Sequence, residues 1–190
     1  MTDICHVFTD YTTKYSRECA VMLAADEDAI KALTSHVESA TKQLQKPTST
    51  PPNRNLHLIF HIFLNISSSS EAGGILAQRH GKDKDVFSVL FNYAAAGSKQ
   101  PSALGELYMC ALEALSKFCN GSTEVRERLR RNWKWLEMLG GLVRGERGKG
   151  KGKGKGKGGA GGRGKKGAAA GGDGNEVRAE KIEALLELLR

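Results

Sequence analysis

Apolar residues recur at helical spacing along most of the chain. From Leu104 to Cys119 they fall three and four residues apart, which places them on one helix face. Ser102 suits the N-cap of this helix, and Asn120 with Gly121 ends it. The pattern predicts further helices at 27–45, 54–67, 70–79, 84–95, 123–131, 133–143 and 176–189, and one within 3–24. Because no alternating strand pattern occurs, the chain is predicted to be all-α.

Two of these helices carry unusual apolar surfaces. The helix at 54–67 is apolar nearly all round, so we expect it to be buried on more than one side. The helix at 176–189 has Ile182, Leu185, Leu186 and Leu189 on one stripe, and no later segment follows to cover it. This indicates a piece of a longer helical array, and it makes the last helix a candidate surface for self-association.

Two stretches of the chain can be aligned at an offset of 53 positions, 58–76 with 111–129. Each has a long apolar helix, a turn of small polar residues and a short helix that opens near Glu71 or Glu124. Part of the offset is loop, so the repeating unit is closer to about 42 residues, a size typical of HEAT and armadillo stacking.

The turn Leu64-Asn65-Ile66-Ser67 looks like the turn that ends the third helix of an armadillo repeat, and residues 118–121 form a poorer copy. The chain therefore resembles the armadillo repeat family. The resemblance implies an armadillo-like α-solenoid of about three partial repeats. Residues 1–143 would form the repeats, 144–175 a disordered insertion rich in Gly and Lys, and 176–190 the final repeat helix.

The helix that begins Leu56-His57-Leu58 and the segment Asn132–Leu136 also look like the armadillo-like region of very large ubiquitin-specific proteases. That resemblance implies a non-catalytic scaffold for protein–protein interaction, with deubiquitination carried out elsewhere in the parent polypeptide. The Cys and His boxes of those proteases have no counterpart here. Whether the chain belongs to an enzyme stays open, and this chain alone is expected not to cleave ubiquitin.

Charge is distributed unevenly. The 190 residues include 29 Lys and Arg and 21 Asp and Glu, a net charge of +8. Residues 144–172 hold ten of these cations, one of the acids and 14 of the 23 glycines. The other residues sum to about −1, so a near-neutral body carries a basic tract rather than forming a uniformly basic domain.

Alternating Gly and Lys cannot bury apolar surface, and like charges repel, so the tract is predicted to be a disordered loop insertion. Its cations could contact successive phosphates of a nucleic acid without reading bases. The candidates are Lys151, Lys153, Lys155, Lys157, Arg163, Lys165 and Lys166. The tract could also be a nuclear import signal, or a slippage product tolerated because it lies in a loop.

The residues suited to catalysis or metal binding have simpler explanations. Cys19 lies in an apolar stretch without a nucleophile turn, and Cys110 and Cys119 fit the core of their helix. His57 and His61 share a helix face, but no third ligand is nearby in the sequence. We therefore predict no catalytic residue, no metal and no cofactor.

Five residues are candidates for contact with a protein partner: His61, Asn65, Lys117, Asn120 and Trp133. The resemblance implies that Asn65 on a third helix binds the backbone of an extended peptide. The alternative is that Asn65 caps its own helix. Of the two tryptophans, Trp135 precedes Leu136 and Leu139 and fits the core, whereas Trp133 could lie on the surface as a partner anchor.

Secretory and membrane classes are not expected. The first residues lack a basic segment followed by an apolar one, so a signal peptide is not predicted. The most apolar run, Leu56 to Ile66, is far shorter than the roughly 20 residues of a membrane span. Four spread cysteines are expected to be reduced. The predicted location is cytoplasmic, or nuclear if the basic tract acts as an import signal.

Overall fold

The computed structural model describes residues 16–45, 55–78, 85–99, 103–151 and 173–190. Its regular structure in these ranges is entirely α-helical, which confirms the all-α prediction for the part of the chain described. The helices are α1 (Ser16–Ala25), α2 (Glu27–Gln45), α3 (Leu56–Ile66), α4 (Ser70–Gln78), α5 (Val86–Gly97), α6 (Ala103–Gly121), α7 (Thr123–Arg130), α8 (Trp133–Lys151) and α9 (Asp173–Leu188).

Most helix limits agree with the sequence to within two residues, and α2 has the predicted limits of 27 and 45. The main difference is α8, which was predicted to end at 143 and continues to Lys151. Its extension is held by α9, since Glu146 is 2% exposed and Arg147 pairs with Glu183 at 2.7 Å. The first eight residues of the predicted insertion are therefore helical, and residues 152–172 lie outside the described ranges.

Helices that are three positions apart in chain order contact one another. The series α1–α4–α7, α2–α5–α8 and α3–α6–α9 each pack in succession. Contacts also join α1 to α3, α5 to α6 and α8 to α9. Across the described residues, each group of three helices thus packs on the group that follows it in the chain.

The core is one continuous cluster with α6 at its centre. This helix packs against α3, α4, α5, α7 and α9, so few of its positions reach solvent. Aromatic pairs join neighbouring helices: Phe60 and Tyr93 lie 4.9 Å apart, Phe87 and Phe118 5.4 Å apart. The burial on more than one side that was predicted for the 54–67 helix is also found. Its buried residues are Leu56, Leu58, Ile59, Phe60, Ile62, Phe63 and Ile66.

The two polar turns aligned at an offset of 53 have the same local structure. Ser69 accepts a hydrogen bond from the backbone N–H of Ala72 at 3.3 Å, and Ser122 accepts one from the N–H of Val125 at 3.3 Å. Both serines are buried and cap the helix that follows, a contribution of about 1 kcal/mol each. The backbone N–H of Glu124 and the hydroxyl of Ser122 also lower the pKa of the Glu124 carboxyl.

The apolar stripe of the last helix is covered within the chain. Ile182, Leu185 and Leu189 are each at most 1% exposed, because α9 lies against α6 and α8. The residues of α9 that do face solvent are mostly charged, among them Glu176, Glu180, Lys181 and Glu187. The predicted self-association through an uncovered apolar stripe of α9 is therefore wrong, since packing against two earlier helices already buries that stripe.

Two arginines of α7 bind backbone carbonyls at the ends of other helices. Arg126 donates from Nε and Nη2 to the carbonyl of Cys119 at the end of α6, at 3.1 and 3.0 Å. Arg128 donates from Nη1 to the carbonyl of Ala77 at 2.9 Å, near the end of α4. Each guanidinium thus satisfies acceptors that the helix itself leaves open.

Candidate interaction surface

The four polar residues predicted to form one contact face lie on α3 and α6. His61, Lys117 and Asn120 are exposed, and Asn65 is half-buried. Lys117 pairs with Glu113 one turn earlier at 3.7 Å, and both side chains are nearly half exposed. Between exposed groups such a pair is weak, so Lys117 remains accessible to a partner.

Helices α3 and α6 meet at their C-terminal ends. A Cβ built on Gly121 would lie 3.7 Å from the carbonyl oxygen of Ser67 and 3.7 Å from the Cα of Ser70. Asn65 and Asn120 therefore lie close to the same junction, and His61 and Lys117 lie one turn earlier on each helix. The exposed residues of each helix face away from the helices on which it packs, and we refer to the four predicted contact residues together as the α3–α6 surface.

The alignment at an offset of 53 does not extend to every position of this surface. Phe118 is the counterpart of Asn65, and it is 1% exposed and packed on Phe87. The reason is that its ring fills the space between α5 and α4: it meets Phe87 and lies 3.5 Å from a Cβ built on Gly73. At the aligned position of Asn65 and Phe118, only α3 therefore carries an asparagine. Asn120 of α6 lies nearer the end of its helix.

The two tryptophans have different environments. Trp135 stacks on Phe91 with ring centroids 4.6 Å apart, and it packs against the core. Trp133 is 64% exposed at the start of α8. The sequence distinguished these positions correctly, because only Trp135 shares the apolar face of α8. Exposed Arg131 and Lys134 flank Trp133, which makes it suitable as an anchor for a partner.

Cysteine chemistry is disfavoured on α6. Burial raises the pKa of the Cys119 thiol to about 12. Burial also raises the pKa of Cys110, and nearby Glu113 adds to the effect. Both thiols are therefore protonated near neutral pH and are poor nucleophiles. Among the described residues, no group of three His, Cys, Asp or Glu side chains is placed to hold a metal ion.

Polar groups also lie inside the junction of α6, α8 and α9. Tyr108 is 3% exposed and Glu146 is 2% exposed. Burial raises the pKa of Tyr108 to about 12, the charge of Glu146 adds to the rise, and Arg178 opposes it. The apolar spacing of α6 placed Tyr108 on its buried face, but no local pattern showed that Glu146 of α8 and Arg178 of α9 lie beside it. Their burial suits a structural role at this junction.

Two cavities lie elsewhere on the described surface. One of about 720 Å³ opens between the ends of α2 and α5 and has a mixed polar and apolar lining that includes Glu38, Lys42 and Lys99. The other, of about 340 Å³, is lined by Arg17, Ser68, Ser69 and Ser70. Neither contains residues of the predicted contact face.

The predicted phosphate contacts lie almost wholly outside the described residues. Lys151 is the last residue of α8. The other six, Lys153, Lys155, Lys157, Arg163, Lys165 and Lys166, fall in the range 152–172 that the structure does not describe. In the described part of the chain, no helix is both long and apolar enough to cross a membrane.

Comparison with known proteins finds no match. No family model, no curated protein and no solved structure is significantly similar to this chain.

Proposed function

We propose that this chain is a non-catalytic protein-interaction scaffold, built as a short armadillo-like α-solenoid whose polar α3–α6 surface binds an extended peptide. The observation that carries the proposal is the packing of helices three positions apart in chain order. In this architecture the first unit is α1–α3, the second α4–α6 and the third α7–α9. The third helices of successive units then form a continuous face, on which solenoids commonly bind partners.

Local structure supports the same division into units. The caps at Ser69 and Ser122 mark the boundaries between third and first helices, at the same offset as the sequence alignment. Each boundary places a short helix after a long apolar one, as in an armadillo unit. Following the sequence resemblance, we further propose that the scaffold serves a large ubiquitin-specific protease, whose catalytic domain would be separate from this chain.

Peptide binding tests the proposed contact face. The probe is a set of unstructured peptides selected for binding from a random library, with affinity measured by fluorescence anisotropy. His61→Ala and Asn65→Ala together are expected to weaken binding at least about tenfold, because both residues lie on the proposed face and Asn65 can pair with a peptide backbone. Helical content by circular dichroism should stay unchanged.

Lys31→Ala is the matched control, because Lys31 is exposed on α2, away from the contact face. It is expected to bind the selected peptides with the affinity of the unchanged chain. Equal affinity in the double variant and in this control would refute the contact face. Failure to select any peptide would refute extended-peptide binding by the chain.

A second candidate function is phosphate contact through the basic tract, favoured by its ten cations against one acid over 144–172. Deletion of 152–172 should lower the salt concentration needed to elute the chain from heparin, since each neutralised phosphate contributes to salt-dependent binding. Heparin retention that survives the deletion would exclude the tract as the site of contact.

A further inference from the structure

We propose that copies of this chain associate head to tail, with the α1–α2 corner of one copy seated on the α7–α8 corner of the next. The proposal rests on the three-unit architecture above, because both corners join a first helix to a second helix. Stacking of equivalent elements is how successive units pack within the chain. A second copy placed in the same way would therefore bring these two corners together.

The two corners carry opposite charge. The α1–α2 corner exposes three carboxylates, those of Asp26, Glu27 and Asp28, and we call it the acidic corner. Glu18 lies two turns earlier at the start of α1, beside Arg17, which is paired with Glu71 on α4 at 3.8 Å. Asp26 also caps α2, accepting a hydrogen bond from the N–H of Ala29 at 3.0 Å.

The α7–α8 corner is basic. It exposes Arg130, Arg131 and Lys134, and we call it the basic corner. Arg131 pairs with Glu127 at 3.7 Å, but both side chains are largely in solvent, at 82% and 60% exposure. An exposed pair of this kind contributes little to stability, so Arg131 can exchange its partner at small cost. Arg130 donates to the carbonyl of Arg190, at the edge of the same surface.

Each corner also presents a large apolar side chain to solvent. Met22 is 71% exposed on α1, and Trp133 is 64% exposed on α8. Methionine sulfur packs favourably against aromatic rings, and tryptophan and arginine are enriched among the residues that dominate protein interfaces. Met22 on the acidic corner and Trp133 on the basic corner are therefore suited to pack against each other, with opposite charges beside them.

The internal contact between the second and third units provides a precedent. Arg128, near the end of α7, pairs with Asp85 at the α4–α5 corner at 3.2 Å and lies over the Phe87 ring at 5.5 Å. Met22 lies near the end of α1, as Arg128 does on α7. In a second copy stacked in the same manner, Met22 would reach the start of α8, where Trp133 lies. Between two copies, the methionine–aromatic pair of Met22 and Trp133 would take the place that the cation–aromatic pair of Arg128 and Phe87 has within the chain.

The association is open-ended, because the two surfaces are different and each copy carries one of each. The average mass of the full chain, measured by sedimentation equilibrium, should rise from micromolar to near-millimolar concentration. Added salt should weaken the association, because it screens exposed charges. Met22→Lys and Trp133→Glu should each weaken it at least about tenfold. Asn92→Lys is the control, since Asn92 is exposed on α5 in the middle unit, which does not meet another copy, and it should leave the mass unchanged.

Mixing the two variants is the decisive experiment. Met22→Lys retains a working basic corner and Trp133→Glu a working acidic corner, so an equimolar mixture should form a dimer and nothing larger. A mixture that stays monomeric overturns the proposal, as does an unchanged chain that stays monomeric at every concentration. A Met22→Lys variant that still dimerises alone would indicate symmetric pairing through Trp133 and also overturns it.

The Met22→Lys variant separates this proposal from the proposed function. Met22 lies on α1, outside the proposed contact residues, so Met22→Lys should bind the selected peptides with unchanged affinity. Loss of association with peptide binding intact is the expected result. Association without any peptide binding would leave the head-to-tail contact standing and refute the peptide-binding role.

Discussion

Replacing Phe118 by alanine is expected to lower the free energy of unfolding by about 3–5 kcal/mol. Phe118 is 1% exposed on α6, and its ring meets that of Phe87 edge-on at 5.4 Å. It also lies against α4, where a Cβ built on Gly73 would come within 3.5 Å of its ring. Truncation would open a cavity where three helices meet. Because these helices have fixed positions in the array, they could collapse only partly into it.

Urea unfolding followed by circular dichroism measures this loss. The urea concentration at the unfolding midpoint should fall. The slope of the unfolding free energy against urea concentration should stay constant, as expected when stability changes without a change in compactness. A typical domain has about 5–15 kcal/mol in total, so the variant would lose a large share of its stability. Trp133→Ala is the control: it removes a larger ring that is exposed, and should change stability by less than about 0.5 kcal/mol. A Phe118→Ala loss as small as that of the control would contradict this account of the core.

Arg128→Ala is expected to cost about 2–4 kcal/mol, because it removes a donor from half-buried carbonyls at the end of α4 and leaves Asp85 without its counter-charge. Arg128 donates to the carbonyls of Leu76 and Ala77 and pairs with Asp85, and its side chain is only 18% exposed. Asp85 in turn caps α5, accepting from the N–H of Phe87 at 3.2 Å and the hydroxyl of Ser88 at 2.9 Å. One guanidinium therefore holds the end of α4 and the start of α5 on α7.

Two further variants show whether the geometry or the charge of Arg128 matters. Arg128→Lys keeps the charge but loses the planar fork that reaches two acceptor groups at once, so it should recover less than half of the loss. Arg131→Ala removes an exposed arginine three residues later, which is paired with Glu127. This change should lower the free energy of unfolding by less than about 0.5 kcal/mol. The same urea titration measures all three. Equal losses for the changes at 128 and 131 would show that the bridging contacts contribute nothing specific.

The helices themselves were largely predictable, because their limits depend on local signals. Asp26 caps α2 and Asp85 caps α5, so α2 begins at the predicted residue and α5 within two residues of it. Trp135 and Leu139 share an apolar face, which distinguished core from surface at the start of α8. The end of α8 was not predictable. Gly and Lys are weak evidence for a helix, and only the packing of Glu146 and Arg147 against α9 explains why it continues to Lys151.

The candidate surface was predictable only in part. The exposure of His61, Lys117 and Asn120 agrees with their polar character. The apolar spacing of α6 predicted its buried face correctly, Phe118 included. It did not show that α9 joins this face from beyond the basic tract, because no local signal in α6 identifies the helix that packs on it.

Local chemistry alone determined the helical class, the positions of the caps and the order of long and short helices, because capping and apolar spacing act over a few residues. Tertiary packing decided which arginines form hydrogen bonds within the fold and which remain exposed to solvent. Arg126 and Arg128 bind carbonyls at the ends of other helices and Arg130 binds the carbonyl of Arg190, whereas Arg131 lies largely in solvent, paired with Glu127. These four residues lie within six positions of one another, and their sequence looks uniformly basic. Their roles differ because α7 lies beside the ends of α4 and α6. Each arginine side chain binds the acceptors that lie within reach of its side of the helix.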